Sequence, residues 1–416
     1  MTRVSSIREP DSASLPGSVP APAREELPRS LLYSTSARLG GSGLDVSSLE
    51  GAKAAAGGGF LARAIGYADQ QRVIPSSKIR SLAWHPVRLL SGMGSARYYG
   101  AKKQYLDLIT ARELRSGRYD FLHTWSGDAL NSLITARQRG IPSVMDIPTW
   151  HRNKGHRKPF LTKTEREAAA LRGWAGWKHR MLISRQRMLM EYELATVLMM
   201  PSQCAARTFL DAGIPPGRLH YAGRGVDMER YQPAAAAPEK FRLIFVGALI
   251  RRKGVHHLLR AWKSLALRDA ELLLVGEAHE EMRGDLAAAG PGVIVKGFAP
   301  NVPELLRTAS AFVFPSECEG FAKSTLEAAA CGLPLITTRE SGDAIIDGVT
   351  GRLIPPNDPD ALAAAIREAR DHPDRFAEMG RAARRHAAEN FTWDHFRARI
   401  LTGYAKARGL TPSLRS

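Results

Sequence analysis

Two carboxylates eight residues apart, Glu319 and Glu327, bracket the run Gly320-Phe-Ala-Lys-Ser-Thr-Leu326, which continues into Ala328-Ala-Ala-Cys-Gly-Leu-Pro334. The apolar stretch Ala311 to Pro315 reads as a buried strand, Ser316 to Gly320 as a turn, and Phe321 to Cys331 as a helix that Gly332 and Pro334 end. A helix starting near Ala322 leaves the amides of Ala322, Lys323 and Ser324 without intrahelical partners, at the positive end of the helix dipole, where a phosphate is favoured. Glu327 then lies about 7.5 Å along the axis from Ala322 at 1.5 Å per residue. The two acids can flank a bound diphosphate, one toward sugar hydroxyls and the other toward a ribose diol. A cation for the same diphosphate is available in Arg251-Arg-Lys-Gly254, where Lys253 immediately precedes a second helix, His256 to Ala266.

The elements that must position these groups follow an alternation of short apolar runs and helical stretches, the pattern of parallel sheets covered by helices. In the first half, Leu31 to Thr35 is the first strand and leads into Ser36-Ala-Arg-Leu-Gly-Gly-Ser-Gly-Leu44, where Gly40, Gly41 and Gly43 permit a tight strand-to-helix turn. A second strand reads Tyr119 to His123, and a helix Leu130 to Arg139 leads to the strand region Ile141 to Pro148, with His151 just beyond. The stretch Glu193 to Ser202 is read as the last strand of this half, and Ser202 as the cap of the helix Cys204 to Gly213. The second half opens with the buried strand Phe241 to Gly247, and Leu272 to Gly276 and Val293 to Gly297 are its next strands. Asp358-Pro-Asp360 has the spacing of a metal-binding pair but stands at a helix start, where Asp358 caps and Asp360 complements the dipole. No metal is expected from it.

The run Glu319 to Pro334 resembles the donor-binding signature of retaining glycosyltransferases of family 4, which have the GT-B fold. That resemblance implies an α/β protein of two Rossmann-like domains facing across a cleft, with a C-terminal helix crossing back to the first. The implied boundaries are a disordered tail 1–30, an acceptor domain 31–232, a linker 233–240, a nucleotide-sugar domain 241–390 and a returning helix with tail 391–416. It also implies that Glu319 contacts the donor sugar, Glu327 the ribose, and the backbone of Gly320, Phe321, Ala322 and Lys323 the diphosphate. Ala322 stands where the family often has a second glycine. The loop Gly247-Ala-Leu-Ile-Arg-Arg-Lys-Gly254 resembles the family's diphosphate loop, but Ala248 occupies the place of its usual arginine, leaving Arg251 or Arg252 to supply the charge. By position, Gly297 and Phe298 correspond to the contact with the nucleotide base, and Gly40, Gly41 and Gly43 to the loop lying over the donor phosphates. His151, or His123 at a strand end facing the cleft, corresponds to the family's histidine near the reacting sugar. Arg224 replaces the Asn of an Asn-Gly-Val-Asp stretch before the linker.

The implied activity is transfer of a sugar from a UDP- or GDP-linked donor to a glycan, lipid-linked or polysaccharide acceptor, with retention, without a metal and without a cofactor. A sugar-nucleotide epimerase or phosphorylase on the same fold is the nearest alternative, and a non-catalytic basic protein binding membrane or nucleic acid is the alternative of another class. The formal net charge is +18 over 416 residues. Such a balance suits nucleic acid, anionic membrane or phosphorylated ligands. Between His151 and Met188 eleven Arg or Lys stand against two acids, interleaved with Phe160, Trp174, Trp177 and several Leu and Met. That is the composition of a helix lying on anionic lipid. No nucleic-acid-binding motif accompanies the charge, which argues against nucleic acid as a partner. Cys204, Cys318 and Cys331 form neither a CxxC nor a Cys/His set, in keeping with a reducing cytoplasm. The expected location is cytoplasmic, peripheral at the inner face of the membrane.

Overall fold

The computed structural model describes residues 21–41, 43–91, 95–153 and 185–410. The first thirteen strands of the chain, all in parallel pairs, make two sheets. The seven-stranded sheet runs in the order β3-β2-β1-β4-β5-β6-β7, with β1 Leu31–Ser34, β2 Leu61–Gly66, β3 Ile79–Ser81, β4 Phe121–Trp125, β5 Ser143–Asp146, β6 Val197–Met200 and β7 Leu219–Tyr221. The six-stranded sheet runs β10-β9-β8-β11-β12-β13, with β8 Phe241–Val246, β9 Ala270–Val275, β10 Val293–Gly297, β11 Ala311–Phe314, β12 Leu335–Thr337 and β13 Gly351–Leu353. Each is a doubly wound parallel sheet, so each puts its ligand-binding crevice at the carboxyl ends of its strands.

Burial explains which sequence runs became central strands. Leu31, Leu32 and Tyr33 of β1, Leu243, Ile244 and Phe245 of β8, and Phe312 and Val313 of β11 are fully enclosed. Such strands are covered on both faces and read as continuous apolar runs. Among the strands that composition did not reveal, β3 and β7 are the edges of the first sheet and β2 lies between β3 and β1. β2 carries Arg63 among alanines, while β3 and β7 are three residues long and only partly buried. The strand expected second in the first half is therefore β4, fourth in sequence, and β6 is followed by β7 rather than closing the sheet.

Local signals at helix starts are obeyed. The Ser202 hydroxyl accepts from the amide of Ala205 at 3.0 Å, and the Asp358 carboxylate accepts from Asp360 and Ala361 at 3.1 and 2.9 Å. The Asp358-Pro-Asp360 pair is thus a cap.

The helix Trp393–Leu410 leaves the second sheet and packs on the first, placing Phe396, Ile400, Tyr404 and Ala407 in a core shared with Tyr33, Phe60, Phe121 and Val144. Arg397 pairs with Glu50, and Arg408 with Asp120 at 3.3 Å. At the other end of the chain, residues 1–20 of the expected tail lie outside the described residues. Its remainder is docked: Leu27 is buried, and the amides of Arg29 and Ser30 donate to the Asp120 carboxylate. Most of the basic segment 151–188, residues 154–184, also lies outside the described residues. Among those described, no helix is long and apolar enough to cross a membrane.

Candidate active site

The turn after β11 and the loop after β8 meet at the carboxyl edge of the second sheet, and backbone geometry brings them into contact. Gly254 ends the loop in a left-handed conformation (φ 70°), and a Cβ there would lie 2.0 Å from the carbonyl oxygen of Pro315. Only glycine lets the loop and the turn lie this close. Arg252 completes the junction. Its carbonyl accepts from the amide of Glu317 at 3.0 Å and the hydroxyl of Ser316 at 3.2 Å, while its guanidinium donates to the carbonyl of Cys318 and, at 3.0 Å, to the Glu319 carboxylate.

Glu319 thus faces two cations, Arg252 at 3.0 Å and Lys253 Nζ at 3.9 Å. Burial holds the Lys253 ammonium below its ordinary pKa and Glu319 opposes that shift. The ammonium also lies 5.3 Å from the centre of the Phe314 ring. Arg251 points elsewhere, pairing with Asp285 at 2.6 Å. Of the two arginines, Arg252 is the one beside Glu319 and Lys253. Gly247 lines the same spot, since a Cβ on it would come within 2.9 Å of Lys253 Nζ.

The helix Lys323–Ala330 begins one residue later than expected, with Ala322 as its cap residue. The Ala322 amide is already bonded to the carbonyl of Ser341 at 2.8 Å, so it is not one of the free amides, which begin at Lys323. Phe321 is a packing residue by its ring, which meets Phe391 edge-on at 5.7 Å. One helical turn on, Glu327 lies near the Tyr231 hydroxyl and Lys323. Burial and the Glu327 charge raise the Tyr231 pKa. Burial lowers that of Lys323, against the pull of Glu327. Tyr231 was not singled out from the sequence, and it comes from the chain just before the linker. The Phe298 ring is exposed at the rim of the second sheet, next to Gly297.

The first sheet's half closes over this edge. The Lys323 ammonium donates to the carbonyl of Gly43 at 3.3 Å, so the turn containing Gly40, Gly41 and Gly43 faces the helix start. Gly320 packs on the backbone of Pro148 and Thr149 so tightly that a Cβ would fall 2.1 Å from the Pro148 oxygen. A third contact joins the amide of Gln203 to the Asp343 carboxylate at 3.0 Å. Burial raises the Asp343 pKa to about 6.

The two histidines are not where their strand-end positions suggested. His123 is fully enclosed rather than facing the cleft, with Nε2 donating to Asp146 at 2.7 Å and Nδ1 accepting from the Tyr404 hydroxyl at 2.6 Å. The crossing helix covers it. The His151 ring is buried between Tyr192 and Phe209, with centroids 5.1 and 4.9 Å away. Its Nδ1 accepts from the Asn153 amide at 3.1 Å, and burial lowers its pKa to about 4. Arg224 is likewise interior, donating to the carbonyls of Gly223 and Ile147 at 2.9 and 3.1 Å. Neither histidine joins Glu319, Lys253 and Glu327 at the cleft edge.

Two doubly wound domains face each other, with a carboxylate, two cations and a free helix start at the crevice of the second, and this is the arrangement of the GT-B fold. Residues 240–372 match the model of the family Glycosyl transferases group 1. The chain is 28% identical over 317 residues to the MMP α-(1→4)-mannosyltransferase of Mycolicibacterium hassiacum, covering 72% of this chain and 74% of that protein. It is 29% identical over 340 residues to the D-inositol 3-phosphate glycosyltransferase 1 of Catenulispora acidiphila, covering 74% and 77%. Among solved structures, sucrose-phosphate synthase from Thermosynechococcus elongatus matches with a TM-score of 0.66 at 18% identity over 88% of this chain and 96% of that one. The Anabaena protein HepE in complex with UDP matches at 0.64 and 18%, over 88% and 97%. These two likenesses concern the fold.

Proposed function

We propose that the protein transfers a sugar from a nucleoside-diphosphate donor to a hydroxyl acceptor with retention at the anomeric carbon. The observation that carries the reading is the meeting of Glu319, Arg252 and Lys253 beside the start of the helix Lys323–Ala330, with Glu327 one turn along the same helix. In this reading the diphosphate lies against the amides of Lys323 and Ser324, with Lys253 and Arg252 taking its charge. Glu319 orients the sugar hydroxyls, and Glu327, near Tyr231, receives the ribose diol. Negative charge builds on the diphosphate as the glycosidic bond breaks, and fixed cations and amides in a closed cleft stabilise it without reorganising. The departing phosphate oxygen takes the proton of the attacking acceptor hydroxyl on the same face of the sugar. No metal is required, because Lys253, Arg252 and the helix start supply the positive charge.

A relative described as a GDP-mannose-dependent mannosyltransferase, and a fold neighbour solved with UDP, support a GDP- or UDP-linked donor. The basic first half supports an anionic, glycan or lipid-linked acceptor in envelope or polysaccharide synthesis, with the protein peripheral at the cytoplasmic membrane face. The test is a transfer and hydrolysis screen across UDP- and GDP-sugars without added Mg²⁺ or Mn²⁺, with product anomers read by NMR. Lys253→Ala and Glu319→Gln should each lower turnover at least about 100-fold, the scale of losing one charge-stabilising group, while the fold persists. Near-normal turnover in either variant sinks the assignment.

A further inference from the structure

Behind the donor-side turn lies a second cluster that the transfer chemistry does not use. His256 and His257, in the first turn of the helix Val255–Leu265, and Glu317, in the turn after β11, each offer a ligand atom within 4.8 Å of the other two. The two imidazoles lie against each other with centroids 3.9 Å apart. The Nδ1 atoms of both rings are shielded from solvent and have no hydrogen-bond partner among the described residues. Buried polar atoms in native structures are nearly always satisfied, so two adjacent orphans call for an explanation.

The surroundings fix how one of these rings must present itself. His257 Nε2 lies 3.1 Å from Asn357 Oδ1; with that oxygen as acceptor, the neutral ring carries its proton on Nε2 and offers the lone pair of Nδ1. Asn357 itself adopts a left-handed backbone (φ 61°). An outer hydrogen bond that sets the tautomer and leaves the other nitrogen free is the usual support of a metal-binding histidine. Arg251 is paired with Asp285 at 2.6 Å and Arg252 with Glu319 at 3.0 Å, so neither of these arginines is spent on Glu317. The Glu317 amide is anchored to the Arg252 carbonyl at 3.0 Å, so its side chain starts from a fixed point.

We propose that His256, His257 and Glu317 form a site for a divalent transition-metal ion of the Zn²⁺ type, bound through His256 Nδ1, His257 Nδ1 and a Glu317 oxygen, with water as fourth ligand. Two imidazoles and one carboxylate match that class of ion. Bonds of about 2.0–2.1 Å place ligands roughly 3.3 Å apart in a tetrahedron, a contraction shared by rotation of the Glu317, His256 and His257 side chains, all three partly exposed. The ion would tie the helix that follows Lys253 to the turn that carries Glu319. Its role is structural, and it stands independently of the donor assignment: a protein that transferred no sugar could still bind it.

The test uses the full, tag-free chain, stripped of metal and dialysed against Zn²⁺ and, separately, Co²⁺. One equivalent of Zn²⁺ should be retained, Zn²⁺ should raise the melting temperature, and Co²⁺ should show the visible absorption of a four-coordinate ion. His256→Ala, His257→Ala and Glu317→Gln should each weaken binding at least tenfold and abolish the Co²⁺ band, with metal-free melting unchanged. Asn357→Ala should weaken Zn²⁺ binding about 10–100-fold through the lost outer hydrogen bond. Retention below about a fifth of an equivalent, or variants that bind as tightly as the unaltered chain, would overturn the proposal.

Discussion

Gly320→Ala offers the sharpest test of the closed cleft. The Gly320 backbone lies outside the left-handed region, so alanine costs nothing locally. Its methyl carbon, however, would stand 2.1 Å from the Pro148 oxygen, 2.7 Å from the Pro148 carbonyl carbon and 2.9 Å from the Thr149 Cα. All three are backbone atoms of the other half of the molecule and cannot swing aside as a side chain would. Relief to an ordinary contact requires the two halves to part by about 1 Å at this point, adjacent to Glu319. A displacement of that size in a reacting geometry costs on the order of 100-fold in rate, or about 2.7 kcal/mol at 1.36 kcal/mol per tenfold. Thermal stability should change little, because the second half keeps a core of its own, separate from the two clusters of the first. The assay is steady-state transfer on the donor and acceptor that the screen identifies, with donor affinity measured alongside. Turnover should fall about 100-fold while donor affinity, which resides in the second half, moves far less. Turnover within threefold of the unaltered protein would refute the claim that this apposition is the reactive one.

Tyr404→Phe removes the hydroxyl that donates to His123 Nδ1 inside the core, leaving a buried acceptor unpaired. It should cost about 1–3 kcal/mol in urea unfolding, with turnover per folded molecule retained. His220 is held neutral by burial, with its pKa lowered to about 4, while Nε2 bonds to the Arg399 carbonyl at 2.7 Å. Below pH 6.5 the unfolded chain takes up a proton at this residue that the folded protein refuses. Stability should therefore fall as pH drops from about 6.5 to about 4. Unfolding midpoints across that window should fall less steeply in His220→Gln than in the unaltered protein, and equal slopes would count against the linkage.

The donor-side segment was legible in the sequence because its information is local. A buried strand, a turn and a helix with a glycine and proline at its end are set by near neighbours, and β11 and the helix Lys323–Ala330 follow that reading to within a residue or two. The caps at Ser202 and Asp358 were legible for the same reason: each side chain bonds to an amide two or three residues away. Strands β3 and β7 escaped because a short, partly buried edge needs no apolar run, and β2, between β3 and β1, because Arg63 interrupts its apolar residues.

The sequence by itself thus determined the two parallel-sheet halves and the presence of Glu319, Glu327 and Lys253 at strand ends and helix starts. Only the tertiary structure decided which side chains share the cleft. Arg252 rather than Arg251 meets Glu319 because Asp285, more than thirty residues on, holds the other arginine. His123 left the cleft because Tyr404, 281 residues downstream, covers it, and His151 because Phe209 and Tyr192 enclose its ring. Spacing along the chain fixes local hydrogen bonds, whereas burial and charge pairing depend on groups that only folding brings within reach.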